Sequence, residues 1–269
     1  MSNQEGGASG DPANPAARDA NTPVAQDIPS IAAQRDAWEK WNAETREHRL
    51  SDISEDQRDR AVGWLKTLNR QDLRIIDVGC GAGWLCPELA RFGRVTATDL
   101  SASVLSRARA RMPNVNFVPG DFMELQFDGE GFDVVVSLEM LAHVADQPAF
   151  IAKLAGLLRP GGVLILATQN RPVLEKLNRV PPPAPGSIRK WLDEAELREL
   201  LSPHFYIDQL LIITPKANRF PWRLVSNNKV DPILKALFGN APKRLKERLG
   251  WGWTIMALAH KREVQGSQE

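Results

Sequence analysis

The chain has 269 residues, of which 43% are hydrophobic and 25% charged, and its formal net charge is +1. This composition is typical of a globular protein with one substantial domain, and the balanced charge predicts no general attraction to nucleic acid or anionic membrane. The two cysteines, Cys80 and Cys86, are too few for a disulfide framework and lack the second pair that a zinc site needs. Because the sequence shows neither a secretory signal nor an apolar run of membrane-spanning length, we expect a cytoplasmic protein.

The N-terminal part divides into a tail and two helices. Residues 1–30 are rich in Ala, Pro, Gly, Asn and Asp, so they cannot bury enough apolar surface to fold and are predicted to be disordered. A helix-friendly segment follows and reaches about residue 50. A second helix is predicted to begin at Ser54, which opens a capping-box pattern. We expect one domain over residues 31–262 and a second disordered tail over 263–269.

Short apolar strands alternate with helices through the core, residues 73–170. These strands are predicted at residues 74–78, 95–99, 115–118, 132–137 and 163–168. Two more are predicted at 205–213 and 251–260, with an insert over 214–250 between them. Alternation of this kind predicts a doubly wound α/β fold with a mostly parallel, seven-stranded sheet and helices on both faces.

The turn after the first strand carries the strongest chemical signal. Asp77 is followed by glycines at positions 79, 81 and 83, which let the backbone pass close to a ligand without a Cβ in the way. The helix that follows offers free N–H groups at its start. A dinucleotide fingerprint reads G-x-G-x-x-G, but Trp84 replaces its last glycine here, which disfavours a nicotinamide dehydrogenase.

Two further acidic residues follow strands at the edge where sheets of this kind bind ligands. Asp99 ends the second strand, where a carboxylate can accept both hydroxyls of a ribose. Asp121 follows the third strand, where it can accept an adenine amino proton while Phe122 packs against the ring. Taken alone, Asp99 also fits a helix N-cap, and Asp121 a solvated loop residue.

Five motifs, in order and at natural spacing, resemble those of the class I S-adenosylmethionine-dependent methyltransferases. They are Asp77 to Trp84, Thr98-Asp99-Leu100, Gly120-Asp121-Phe122, Phe132 to Val144, and Leu158 to Gly162. The resemblance implies a Rossmann-like fold and S-adenosylmethionine as the cofactor. It also implies that the cofactor is bound by Asp77, Gly79, Cys80, Gly81, Gly83, Asp99, Leu100, Asp121, Phe122 and Leu138.

Within that superfamily the chain is most similar to small-molecule methyltransferases of the ubiquinone-biosynthesis O-methyltransferase type. Trp38, Trp41-Asn42 and the segment from Leu138 to Val144 carry this similarity. In some relatives two acids and a histidine of that segment are implicated in holding a divalent cation. Ala142 replaces the second acid here, so we predict no metal. The Gly-Thr-His stretch expected after the fifth strand is also absent, so the identity of the acceptor does not carry over.

The resemblance implies methyl transfer to a small-molecule acceptor, and we expect a hydroxyl of a hydrophobic or aromatic metabolite. The alternatives are N- or C-methylation of a small molecule or lipid, and methylation of nucleic acid or protein through the basic insert. Nucleic acid is disfavoured because no Asp/Asn-Pro-Pro-aromatic motif occurs, and Pro181-Pro182-Pro183 is followed by Ala184. The oligomeric state stays open.

His143 is the candidate catalytic residue, together with Glu139. In a short helix over 138–144 the two would lie four positions apart on one face. His143 would then serve as a general base near the acceptor hydroxyl, since an imidazole titrates near neutral pH. The alternative is a structural histidine that orients the loop after the fourth strand. A sulfonium methyl is activated enough that positioning alone can suffice.

The insert over 214–250 mixes nine Lys or Arg residues with two acids and several large apolar side chains. We expect it to form a cap, with Phe220 and Trp222 over the acceptor and with Trp38 and Trp41 of an N-terminal helical lid closing the opposite side. Two other interpretations stay open: a peripheral contact with anionic lipid, and a pocket for a phosphate- or carboxylate-bearing substrate.

Overall fold

The computed structural model describes residues 28–42, 50–127, 129, 131–226 and 230–263. The predicted tails therefore lie outside the described residues, except for residues 28–30 and Glu263. Ser30 belongs to the folded part, because its hydroxyl accepts a hydrogen bond from the N–H of Ala33 at 3.2 Å and caps the first helix. Within the described ranges no helix is long and apolar enough to cross a bilayer.

A seven-stranded sheet forms the centre of the protein. Its strands are β1 (Leu73–Val78), β2 (Gly93–Asp99), β3 (Asn116–Pro119), β4 (Phe132–Leu138), β5 (Leu158–Gln169), β6 (Phe205–Pro215) and β7 (Gly252–Lys261). They lie in the order β3-β2-β1-β4-β5-β7-β6. β7 runs antiparallel to both of its neighbours, and the pairings from β3 to β5 are parallel. The predicted mostly parallel, doubly wound fold is confirmed.

Helices cover both faces of this sheet. They are α1 (Ile31–Trp41), α2 (Asp52–Thr67), α3 (Cys86–Leu89), α4 (Ala102–Arg111), α5 (Gln147–Leu157), α6 (Glu194–Leu201), α7 (Val230–Phe238) and α8 (Ala241–Arg248). α2, α3 and α4 pack on one face, and α5 and α6 on the other. Successive strand residues serve opposite faces, so Ile75 of β1 joins the first core and Ile76 the second.

Two helix starts differ from the prediction. α2 begins at Asp52, ahead of Ser54, because the hydroxyl of Ser51 accepts the N–H of Ser54 at 3.2 Å and provides the cap. The helix predicted after the glycine turn begins only at Cys86, as the short α3, because the chain is still closing turns after Gly83.

The insert joins β6 to β7 at the carboxyl edge of the parallel strands and contains α7 and α8. α8 packs on β6. Two ion pairs hold the insert to α2: Lys243 Nζ lies 2.6 Å from Asp56 Oδ1, and Lys216 Nζ lies 3.2 Å from Asp52 Oδ2. These contacts keep it beside the β6 edge of the sheet.

Candidate functional site

A cavity of about 760 Å³ opens at the carboxyl ends of β1, β2 and β4. The strand order changes direction between β1 and β4, and open α/β sheets bind their ligands at such a point. Cavities of about 300–1,000 Å³ hold drug-sized ligands, so this one has a suitable volume. Of the predicted cofactor residues, its lining includes Gly79, Cys80, Gly81, Asp99, Leu100, Asp121, Phe122 and Leu138.

The glycine turn between β1 and α3 forms one end of the cavity. The N–H groups of Gly79 and Cys80 both donate to the carbonyl oxygen of Thr98, at 2.9 and 3.0 Å, and tie the turn to β2. Gly79 and Gly81 have φ angles of 77° and 53°, a region that favours glycine. A Cβ on Gly81 would lie 3.0 Å from Oδ1 of Asn42, so the missing side chain leaves room at the cavity wall.

Asp99 lies beside this turn at the end of β2. Its Oδ2 accepts the N–H of Gly81 at 2.8 Å and its Oδ1 accepts the N–H of Ser101 at 3.1 Å, which fixes the carboxylate in one orientation. Burial raises the pKa of Asp99, and the backbone hydrogen bonds oppose that rise. Each carboxylate oxygen can accept more than one hydrogen bond, so capacity remains for the hydroxyls of a ribose.

Asp121 and Phe122 follow β3 and line the same end of the cavity. Oδ1 of Asp121 accepts the N–H of Met123 at 2.9 Å. Phe122 is buried and packs edge-to-face on Phe150 of α5, with ring centroids 5.4 Å apart. This packing anchors the loop, so the Asp121 carboxylate is held at the cavity wall.

Asp77 and Gly83, also predicted to bind the cofactor, do not line the cavity. Asp77 is 3% exposed, and the Cys86 thiol donates to its Oδ2 at 3.8 Å. Burial, together with the nearby Asp99 carboxylate, raises the pKa of Asp77 to about 7. Gly83 has a φ of 73°, a region that favours glycine, and a Cβ there would lie 3.2 Å from the ring of Phe117 in the core. Both residues support the turn from behind, because the backbone directs them into the core.

α1 and the loop over residues 184–189 form the other end of the cavity. Trp38 and Trp41 of α1 line it, with ring centroids 5.6 Å apart. The loop packs directly on α1, since a Cβ on Gly186 would lie 2.7 Å from the carbonyl oxygen of Ala33. α1 therefore lies where the N-terminal helical lid was predicted, and the loop completes the closure.

His143 lines this end of the cavity, and its orientation is set by the loop. Its Nδ1 lies 2.7 Å from the carbonyl oxygen of Ile188. Because a carbonyl oxygen can only accept, Nδ1 carries the hydrogen of the neutral ring and Nε2 keeps its lone pair. Burial lowers the pKa of His143, which holds the imidazole neutral at physiological pH. The residue is thus both anchored to the loop and able to accept a proton.

Glu139 lies between the strand and this turn. It has a φ of 67°, and the short 3₁₀ turn begins only at Leu141, so Glu139 and His143 do not share a helix face as predicted. The chain turns sharply after β4 instead of continuing into a helix. Oε1 of Glu139 accepts hydrogen bonds from Nε2 of Gln57 and, at 3.1 Å, from the hydroxyl of Thr254. Glu139 therefore links β4 to α2 and β7 at the cavity wall.

The predicted cap is corrected by the structure. Within the described part of the insert, no residue lines the cavity. Phe220 is 68% exposed, and Trp222 packs edge-to-face on Trp251 with ring centroids 5.0 Å apart. The ion pairs to α2 hold the insert against that helix, away from the central strands.

Several residues that the sequence analysis missed also line the cavity, among them Met140, Ile188, Arg189 and Trp253. Trp253 reaches it because β7 is antiparallel, so the start of β7 lies at the carboxyl edge of the parallel strands. Ile188 and Arg189 lie in the loop that follows β5. Their position after a parallel strand was the available signal.

Among the described residues, no group of three or more His, Cys, Asp or Glu side chains is placed to hold a metal ion. Ala142, which replaces the acid of metal-binding relatives, is fully buried.

The strand order, the antiparallel β7, and the cavity between the glycine turn and Asp99 define a class I methyltransferase fold. Residues 76–166, about a third of the chain, match the family model described as a methyltransferase domain.

A curated relative of similar sequence is the ubiquinone biosynthesis O-methyltransferase of Chelativorans sp. (strain BNC1). The two are 39% identical over 106 residues, which cover 38% of this chain and 42% of the relative. The chain spans about half the length of the curated relatives it matches.

Two solved structures share the fold. The N-methyltransferase NodS from Bradyrhizobium japonicum WM9, solved with S-adenosyl-L-homocysteine, has a TM-score of 0.58 at 15% identity and covers 86% of this chain and 100% of its own. The 1,6-didemethyltoxoflavin-N1-methyltransferase of Burkholderia thailandensis has a TM-score of 0.55 at 21% identity, covering 86% and 88%. At these identities the similarity establishes the fold alone.

Proposed function

We propose that the protein transfers a methyl group from S-adenosylmethionine to a hydroxyl of a small hydrophobic or aromatic acceptor. The observation that carries this proposal is one cavity with two chemically different ends. One end presents the glycine turn and the carboxylates of Asp99 and Asp121. The other presents Trp38, Trp41 and a neutral histidine.

The first end fits an adenosyl cofactor. Asp99 offers acceptors for ribose hydroxyls, and Asp121 offers one for the adenine amino group. Oδ1 of Asn42 is buried beside Gly81 and finds no hydrogen-bond partner among the described residues, so a donor from a ligand would satisfy it. When bound, S-adenosylmethionine supplies a methyl group already activated by its sulfonium centre.

The second end supports the chemistry through positioning and exclusion of water. Trp38 and Trp41 present flat apolar surfaces against which an aromatic acceptor can pack. α1 and the loop over 184–189 enclose the acceptor, and this orients its hydroxyl toward the methyl group. Nε2 of His143 accepts the hydroxyl proton as the oxygen–carbon bond forms and the carbon–sulfur bond breaks.

The similarity to ubiquinone-biosynthesis O-methyltransferases supports a hydroxyl acceptor over an amine or a carbon. The enclosed, aromatic-lined end supports a small molecule over a polymer. The basic insert, which motivated methylation of nucleic acid or protein, contributes nothing to the cavity lining among its described residues. We therefore do not extend the proposal to macromolecules.

Two measurements test this function. Calorimetry should detect binding of S-adenosylhomocysteine and no comparable binding of NAD, which is the matched control for a dehydrogenase. Methyl-labelled S-adenosylmethionine should then label phenols and catechols in a panel that also contains amines and carbon nucleophiles. Failure of the folded protein to bind S-adenosylhomocysteine would refute the proposal, and exclusive labelling of amines would overturn the choice of hydroxyl.

A further inference from the structure

α7 is an apolar helix with an exposed apolar face. Its sequence, Val-Asp-Pro-Ile-Leu-Lys-Ala-Leu-Phe, is rich in large aliphatic and aromatic side chains, yet none of its residues is buried. α7 packs on α8, and α8 in turn packs on β6. The helix therefore lies on the outside of the insert, where its apolar residues face solvent.

The exposed apolar residues lie on both helices and follow helical spacing. Ile233 and Leu237 of α7, four positions apart, are 60% and 68% exposed, and Phe238 is 63% exposed. Leu245 in α8 and Leu249 at its end, also four positions apart, are 58% and 57% exposed. Residues at this spacing share a helix face. We call these five residues the α7–α8 surface, because they lie on two helices that pack on each other. Exposed apolar side chains grouped in this way mark an interaction site.

Cations flank this surface. Lys235, Arg244 and Arg248 are exposed on the same two helices. Lys243 and Lys246 instead form ion pairs with Asp56 and Asp231 of the same chain.

Charge is distributed unevenly between the insert and the rest of the chain. The insert holds nine Lys or Arg residues and two acids, while the whole chain carries a formal charge of +1, so the remainder is net acidic. The insert that carries the exposed apolar side chains is thus the basic part of the chain.

We propose that the α7–α8 surface docks on a membrane surface that contains anionic lipid. Apolar side chains flanked by Lys and Arg enter the headgroup region of a bilayer, while the cations pair with lipid phosphates. A second copy of the chain fits less well, because a symmetric contact would bring two basic surfaces together. Nucleic acid would engage the cations but would leave the protruding aliphatic side chains in water.

Vesicle flotation of the full chain tests the proposal. The chain should float with vesicles of phosphatidylcholine and phosphatidylglycerol in equal amounts and remain unbound with phosphatidylcholine alone. Added salt should weaken this binding because it screens the charges. Each basic residue near an anionic surface contributes about fivefold to binding, so the double variant Arg244→Gln/Arg248→Gln should bind roughly 25-fold more weakly.

A second variant and a control separate lipid docking from charge alone. Leu237→Ser/Phe238→Ser keeps every cation and should also lose vesicle binding. Arg58→Gln/Arg91→Gln removes two arginines from outside the insert and should bind as the unmodified chain does. Thermal melting checks that each variant is folded.

Three results would overturn the proposal: no flotation of the folded chain with the anionic vesicles, equal flotation with phosphatidylcholine alone, or an equal loss in the Arg58/Arg91 control. A dimer that binds no vesicles and that the serine variant converts to a monomer would assign the surface to a second copy. Because flotation needs neither cofactor nor acceptor, its outcome is independent of the methyltransferase proposal.

Discussion

Trp38 and His143 pack against each other with ring centroids 4.6 Å apart and their planes inclined by 71°. Trp38 belongs to α1 and His143 to the turn after β4, so this contact joins the N-terminal helix to the carboxyl edge of the sheet. His143 also holds the loop over 184–189 through Ile188. The His143 side chain therefore contacts both α1 and the loop over 184–189. These two segments enclose the end of the cavity where we propose that the acceptor binds, which we call the acceptor end.

Removing the lid aromatic should impair turnover. We expect Trp38→Ala to reduce kcat/KM for the acceptor by roughly tenfold or more, since the aromatic contact with His143 and the exclusion of water are lost. Phe220→Ala is the matched control, because Phe220 is exposed and lies outside the cavity lining. Steady-state kinetics with a water-soluble acceptor would show the difference, and equal losses in the two variants would contradict this assignment of the lid.

Two substitutions separate the structural role of His143 from its chemical role. His143→Asn keeps a donor near the position of Nδ1 for the carbonyl of Ile188 but removes Nε2, whereas His143→Ala removes both. If His143 is the base, both variants should lose roughly 100-fold or more in kcat. Recovery of activity in the asparagine variant would show that the histidine only positions the loop.

The pH profile gives an independent test of the same residue. Burial lowers the pKa of His143 below its usual 6.5, so the neutral, proton-accepting form persists at pH 6.5. The acidic fall in kcat should therefore have its midpoint below pH 6.5, the value for an unperturbed histidine. A midpoint above pH 6.5 would argue against a base with this environment.

Asp99 should contribute strongly to the affinity for the cofactor. Asp99→Ala removes acceptors for the ribose hydroxyls, and a hydrogen bond to a charged group contributes about 1.5–3 kcal/mol, or roughly 10- to 150-fold in Kd. Asp99→Asn keeps one acceptor, so its affinity for the cofactor should lie between that of the unmodified chain and that of Asp99→Ala. Calorimetry with S-adenosylhomocysteine measures the effect, with the exposed Asp59→Asn as control. Unchanged affinity in a folded alanine variant would remove Asp99 from the site.

Asp77 should make the cofactor-free protein less stable as pH rises. Its pKa is raised in the folded state from 3.8 to about 7, so the folded protein binds the extra proton and stability declines between these two values. Asp77→Asn cannot ionise and should be more stable than the unmodified chain at pH 8, by about 1–3 kcal/mol. The difference in free energy of unfolding between the variant and the unmodified chain should be smaller at pH 5. Urea unfolding at both pH values tests this, and a destabilised variant at pH 8 would show that the carboxylate is needed.

Methyl transfer should not depend on a divalent metal. Ala142 occupies the position where metal-binding relatives have a second acid, and Glu139 is engaged by Gln57 and Thr254. Turnover should survive exhaustive treatment with a chelator. Loss of activity that added magnesium restores would show that a cation takes part.

The fold, and which residues lie at the glycine-turn end of the cavity, could largely be predicted from the sequence, because their signals are local. A β-branched run followed by Gly-x-Gly-x-Gly specifies a strand and a turn with positive φ, whatever lies elsewhere in the chain. Asp99 and Asp121 follow from the same rule, since a residue after a parallel strand lies at the ligand edge. Asp77 and Gly83 belong to this motif too, but which side of the turn faces the cavity depends on what packs behind it.

The acceptor end depended on contacts between segments far apart in the chain. Trp38 and Phe220 look alike in sequence, as aromatic residues within polar stretches. α1 lies at the cavity because it packs against the loop over 184–189 and against His143. The insert lies away from the cavity because Lys216 and Lys243 form ion pairs with α2. Periodicity and composition predict which face of a segment is apolar or charged. They do not predict which other segment packs against that face, because this depends on the shapes and charges that meet only in the folded chain.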